Sequence, residues 1–225
     1  MHIMEGYLPA AQCAAWGAAS APFFVQGVRK ARALLAEKRS AALLLGAAGG
    51  YCFVMSALKL PSVAGSSSHP TGIGLGAMLF GPWVMVLVGA IVLLFQALLL
   101  GHGGISTLGA NAFSMAIVGA LVGWGTYRLL RRVGAPLWLA AFAGAALSDL
   151  ATYVTTSLQL AIAFPDQASG LAGAFAKFLG IFAITQLPLA IGEGVLTALI
   201  MLYLVKHSRR ELTEIGILAP EAGGS

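Results

Sequence analysis

Charge is scarce in this chain. Asp, Glu, Lys and Arg together make up 9% of its 225 residues, where an ordinary soluble domain carries roughly a quarter, so a water-soluble globular fold is excluded. Cysteine is nearly absent: Cys13 and Cys52 lie far apart in apolar runs, without the Cys-x-x-Cys spacing of a redox motif or a thiolate zinc site, and read as small buried hydrophobes. No Gly-x4-Gly-Lys-Ser/Thr phosphate loop occurs, so this chain cannot itself drive a process with ATP. A His-Glu-x-x-His helix and a Gly-x-Ser-x-Gly turn are missing too. An intramembrane metalloenzyme built on His69, His102, Asp149 and Glu193 therefore lacks its usual signature.

What the chain has in abundance is apolar sequence, with 59% hydrophobic residues and a mean hydropathy of +0.88. Several stretches exceed the ~20 apolar residues that cross a bilayer, and no soluble domain separates them. The expectation is an all-α, polytopic membrane protein forming a single integral membrane domain over residues 1–225. The net charge of +5 does not point to nucleic acid, because most Lys and Arg fall in three clusters beside apolar spans: Arg29, Lys30, Arg32, Lys38 and Arg39, then Arg128, Arg131 and Arg132, then Lys206, Arg209 and Arg210. Such clusters mark cytoplasmic ends.

Parity then counts the crossings. The first apolar stretch, about 7–28, precedes the first basic cluster and runs inward from an outer N-terminus; 41–58 returns outward and leaves His69 outside. Two apolar runs, 73–101 and 105–127, follow before Arg128, yet an even number would strand that cluster outside. Gly81-Pro82 divides the longer run, since proline lacks a backbone donor and disfavours helix in the residue before it. The short piece so made is tolerable only if protein buries it. Residues 135–162 go out, Phe164-Pro165-Asp166-Gln167 turns, and 171–205 return, with a preliminary surface or partly inserted helix expected near Leu171 to Gly180 and a bend at Pro188. The total is seven transmembrane helices, N-terminus outside and C-terminus cytoplasmic. A cleaved signal peptide ending at Ala19-Ser20-Ala21 is the competing reading of the first segment, but the basic region that precedes such peptides is absent.

Two histidines carry the chemistry. Met1-His2 starts the chain, and His69 lies in the polar turn Gly65-Ser66-Ser67-Ser68-His69-Pro70-Thr71-Gly72. With the formyl group removed, the Met1 amine, the His2 amide nitrogen and the His2 imidazole are three nitrogens joined by small chelate rings, and a second imidazole completes a four-nitrogen plane. A bulky residue at position 2 hinders trimming of Met1. Such a plane suits Ni(II), Co(II) or Cu(II) better than Zn(II), which prefers tetrahedral ligation. Ligands at a chain terminus need pinning, and Ser66, Ser68, His102, Ser106 and Asn111 are the polar residues available on the outer side.

The opening Met1-His2-Ile3-Met4-Glu5-Gly6-Tyr7-Leu8-Pro9, the turn Ser68-His69-Pro70-Thr71-Gly72, the run Gly101-His102-Gly103-Gly104-Ile105-Ser106-Thr107-Leu108-Gly109-Ala110-Asn111 and the stretch Gln186-Leu187-Pro188-Leu189-Ala190-Ile191-Gly192-Glu193-Gly194 resemble the CbiM/NikM family. These are the S components of energy-coupling factor importers for cobalt or nickel. The resemblance implies a six-helix S-component core with one extra N-terminal helix. It also implies an ion bound by Met1, His2 and one further histidine, matched here by His69, and no resident cofactor, since the ion is cargo. Its implied partners are a coupling transmembrane subunit (CbiQ), an ATPase (CbiO) and a small accessory membrane subunit (CbiN), in an inner-membrane assembly that serves cobalamin synthesis. The Ile-Met-Glu-Gly wording is nearer the cobalt branch than the nickel branch.

Other residues keep two readings. His102, among glycines, is either a hydrogen-bonding or ion-entry group or a plain turn residue. Glu193 and Asp149 are ionisable groups within spans, where burial is costly and often functional. Ala42, Gly46 and Gly50 form a smooth stripe at four-residue spacing, suited either to the coupling subunit or to internal packing. A stand-alone facilitator is a third possible function, distinguished by whether ions accumulate without the ATPase partner.

Overall fold

The computed structural model describes residues 2–38, 41–61, 66–214 and 217. Met1, Arg39 and Gly65, on which parts of the sequence reading fall, lie outside the described residues. Nearly all of the rest is helix: α1 (Ala10–Glu37), α2 (Ala41–Ala57), α3 (Ile73–Phe80), α4 (Pro82–Leu100), α5 (Leu108–Asn111), a π-helical segment (Ala112–Gly119), α6 (Ala120–Arg132), α7 (Leu137–Ala163), α8 (Gly170–His207) and α9 (Arg209–Glu214). Prolines mark several beginnings, because proline fits the first turn, where no donor is needed: Pro9 and Pro136 stand just ahead of α1 and α7, and Pro82 opens α4.

Among the described residues, four helices are long and apolar enough to cross a membrane: Pro82–Leu100, the continuous run Leu108–Arg132, Leu137–Ala163 and Gly170–His207. The break at Gly81-Pro82 falls where proline chemistry places it. Gly81 takes φ +82°, a conformation side chains resist, and separates α3 from α4. Residues Ile73 to Met78 of α3 are all buried. This short helix packs against α4, α6, α7 and α2, as a helix too short to cross a bilayer alone requires. The α7 face that meets α3, α6 and α8 is built of small residues, with Ala140, Ala141 and Ala145 fully buried. Small side chains let helix backbones approach closely where no hydrophobic force separates protein from lipid.

In two places the structure departs from the sequence reading. No separate helix precedes the last span; α8 runs unbroken from Gly170 to His207, through Pro188. Isolated glycines cost a helix only about 1 kcal/mol each, and nothing between 171 and 187 is a stronger breaker. Asp166 ties down the start of α8, accepting from the Ala168 and Ser169 amides at 3.0 and 2.9 Å and pairing with Lys177. The second departure is a small antiparallel sheet of β1 (His2–Ile3), β3 (Ser66–Ser68) and β2 (Leu60–Pro61), in that order, with His2 opposite Ser67 and Ile3 opposite Ser66. Strands this short carry no alternation pattern that a sequence could reveal.

The ends of the bundle sort by chemistry. The α3–α4 junction (Phe80, Gly81) shares a cleft with Lys30 and Glu37 of α1. Leu79 and Phe80 also lie in a cavity with Leu204 of α8 and Ser208 just beyond it, and Arg128 and Arg132 line another with Val205 of α8. The described residues of the three basic clusters thus lie toward one end. At the other end lie β1, β3, His102 and the loop that leads into α5.

Candidate metal centre

His2 and His69 reach each other across 67 residues because β1 lies along β3. His2 Nδ1 and His69 Nε2 are 2.5 Å apart, closer than an ordinary N–H···N bond. The surrounding network decides which atoms carry protons. Ser56 gives its hydroxyl proton to the Cys52 carbonyl, and the Gln96 amide nitrogen donates to the Phe53 carbonyl at 3.1 Å and to Ser56 Oγ at 2.6 Å. The Gln96 oxygen is therefore the atom that faces His2 Nε2, at 3.1 Å. A carboxamide oxygen only accepts, so His2 Nε2 holds the proton and Nδ1 presents a lone pair. The same reasoning applies to His69, whose Nδ1 is 2.9 Å from the Pro70 carbonyl. It must donate there, leaving Nε2 unprotonated.

Two lone pairs thus face one another in a buried site, His2 being 1% and His69 0% exposed. A shared proton is a poor occupant, because burial above all holds both rings well below the usual histidine range. A divalent cation relieves the repulsion: two cis donors each ~2.0 Å from one ion stand about 2.8 Å apart. His102 completes a cluster in which one ligand atom from each of the three rings lies within 4.8 Å of the others. Its ring stacks on His2 with centroids 4.4 Å apart and planes 24° from parallel, and its Nε2 is 2.8 Å from Ser67 Oγ. Burial lowers the pKa of His102 to about 4.

Two frames hold these rings. The loop after α4 lies over β1: Glu5 N–H donates to the Gly103 carbonyl, Ser106 N–H to the Glu5 carboxylate, and Gly6 N–H to Ser106 Oγ. Asn111 accepts from Ile3 N–H at 2.8 Å and donates to its carbonyl at 3.0 Å, much as a neighbouring strand would. Gly103, at φ +79°, lies so close that a Cβ there would stand 3.1 Å from His2 Cδ2. From the other side α8 grips the His69 turn. Glu193 accepts from Thr71 N–H (2.5 Å), Gly72 N–H (2.9 Å) and the Thr71 hydroxyl (3.0 Å). Gln186 donates to the His69 carbonyl and to both oxygens of Asp149, and Ser68 Oγ bonds Thr185 Oγ1 at 2.8 Å.

Of the residues singled out from sequence, His2 and His69 come together, His102 joins them, and Ser106 and Asn111 bind the β1 segment. Ser66 pairs in register with Ile3, and Ser68 binds α8 rather than a ring. Glu193 accepts from the His69 turn itself, and Asp149 accepts from Gln186, which donates to the His69 carbonyl. The sequence reading missed Gln96, Ser67 and Thr71. A signal for Gln96 was present: one carboxamide amid the aliphatic run of α4 must find partners when buried.

A bundle of apolar spans that gathers three imidazoles beneath one end defines a membrane protein that handles metal ions, and solved structures agree on this class. A transition metal transporter superposes with a TM-score of 0.82 at 29% identity, covering 95% of this chain and 96% of that one. A truncated transition metal transporter gives 0.81 at 30% identity over 92% and 99% of the two chains.

The chain belongs to the CbiM family, described as the cobalt uptake substrate-specific transmembrane region, whose model matches residues 2–211. Among its relatives, the cobalt transport protein CbiM of Streptomyces coelicolor is 59% identical, over 99% of this chain and 96% of that one. The cobalt transport protein CbiM of Moorella thermoacetica is 56% identical, over 100% and 88%. The chain is accordingly a membrane component of metal uptake and not an enzyme.

Proposed function

We propose that this chain is the substrate-capture component of an ATP-driven energy-coupling factor importer and takes up Co(II) for cobalamin biosynthesis across the inner membrane. The observation that carries the proposal is the approach of His2 Nδ1 to His69 Nε2 within 2.5 Å in a buried site, with the other nitrogen of each ring against an oxygen acceptor. The Met1 amine and the His2 amide nitrogen, deprotonated on binding, complete a planar four-nitrogen shell that disfavours Zn(II). The single domain spans residues 1–225 and crosses seven times, with its basic end cytoplasmic and its histidine end outside. The burial of α3 makes it a tolerable crossing piece beside the four long spans.

Partners follow from the lack of a phosphate loop: a coupling subunit of the CbiQ kind, a CbiO-like ATPase and a small CbiN-like subunit. Ala42, Gly46 and Gly50 of α2 are exposed, which favours the coupling subunit over internal packing for this stripe. Nickel is the second reading of the cargo, since the same four nitrogens suit it. The experiment is uptake in cells by the chain with and without its partners, with cobalt and nickel competing. Cobalt accumulation that needs the ATPase and disappears in His69→Ala is expected. Accumulation without the ATPase, or undiminished in His69→Ala, would overturn the proposal.

A further inference from the structure

His102 is buried, with 2% of its surface exposed, and its Nδ1 has no hydrogen-bond partner among the described residues. An orphaned polar atom in such a site is costly and calls for a reason. Its position supplies one. His102 belongs to the loop that lies over His2 and reaches the surface at Ile105, which is 59% exposed, so this loop joins the buried rings to that surface. The ring stands at centroid distances of 4.4 Å from His2 and 4.8 Å from His69. It lies nearly parallel to the His2 ring, so its nitrogen does not point down onto the plane through His2 Nδ1. His102 is therefore placed to share an ion with the other imidazoles outside that plane.

We propose that His102 is a loading ligand: His2, His69 and His102, with one water, first hold Co(II) in a non-planar four-coordinate shell. The ion then moves into the planar shell as the terminal amine and the His2 amide replace His102 and the water, and the amide proton and the proton of the terminal ammonium leave to solvent. This inference rests on the reading of the planar site given above. Three imidazoles and a water make a tetrahedral set that borderline divalent ions accept readily, whereas the planar set requires an amide to lose its proton. A preliminary site holds the ion while that slower event occurs.

Tetrahedral Co(II) absorbs visible light strongly and planar Co(II) weakly, so loading of the purified full chain can be followed by stopped flow. An intense band should appear and decay. In His102→Ala the band should be missing, and loading and chelator-driven release should both slow, on the order of tenfold, with the final Kd unchanged. A residue that merely supported the structure would act otherwise, because loosening a site speeds release. Faster release, or unchanged loading, in His102→Ala would overturn the proposal. A second variant carries one extra residue ahead of Met1, which removes the α-amine from position. It should trap the intense tetrahedral spectrum, and lose it when His102→Ala is added. If this extended chain still reaches the final planar spectrum, the planar ligand set is wrong; if it gives no tetrahedral signal, the loading site is wrong.

Discussion

Replacing Gln96 with leucine tests whether a proton on the far side of a ring governs the ligand. The wild-type carboxamide is fixed by Phe53 and Ser56, and through its oxygen it holds the His2 proton on Nε2. In Gln96→Leu that proton has no acceptor, and leaving a buried N–H unsatisfied costs about 1–3 kcal/mol. The metal-free protein escapes the cost by moving the proton to Nδ1, where it donates to the His69 Nε2 lone pair. Cobalt must then reverse the exchange before it binds. Losing the partner that orients a metal-bound histidine typically weakens binding about 10–100-fold, equivalent to about 1.4–2.7 kcal/mol. Chelator-competition titration reads the affinity, and thermal unfolding of the metal-free protein in detergent reads the fold. The expected result is a much weaker Kd with a metal-free melting point near that of wild type. An affinity within about twofold of wild type, or a loss explained by a collapsed metal-free fold, would refute the tautomer argument.

Glu193→Gln keeps one acceptor but turns an NH2 group toward the Thr71 and Gly72 amides, so roughly 2–3 kcal/mol of charge-assisted bonding is lost. Thermal unfolding should show a lower melting temperature and cobalt titration a weaker Kd; an unchanged pair of values would show that α8 does not hold the turn. Acid should release the ion. The three imidazoles have folded-state pKa values lowered by burial, that of His102 to about 4, whereas in the unfolded chain they protonate near pH ~6.5. Their contribution to stability is therefore complete above pH ~6.5 and declines as pH falls below it, whereas cobalt is released only as the folded-state imidazoles of His2 and His69 themselves protonate, below the usual histidine range. Retention that rises on acidification would contradict this sign. In uptake assays His69→Ala should abolish transport while His102→Ala only slows it, and equal, complete losses would make His102 a permanent ligand.

Much of the architecture was legible because lipid imposes simple rules. Length and hydropathy marked the long spans, Gly81-Pro82 marked the broken one, and the described residues of the basic clusters do lie toward one end of the bundle. The continuous α8 was less visible, since Gly170, Gly173 and Gly180 look like punctuation while helix packing tolerates them. The two-residue pairing of β1 with β3, which delivers His2 to Ser67 and the neighbouring His69, leaves no periodic trace. Histidines were findable as residue types with few roles in lipid. Gln96 and Thr71 were harder, because their importance lies in which atom faces which ring or turn, and only tertiary structure decides that. Glu193 stood out as an acid among glycines, yet its acceptor role depends on a turn 121 residues away.

X-ray absorption of the cobalt-loaded full chain, which counts donors by type, reaches the central claim most directly. The account predicts four nitrogen donors, two of them imidazole, without sulfur. An oxygen-rich six-coordinate shell, or a spectrum with no imidazole scattering, would contradict it.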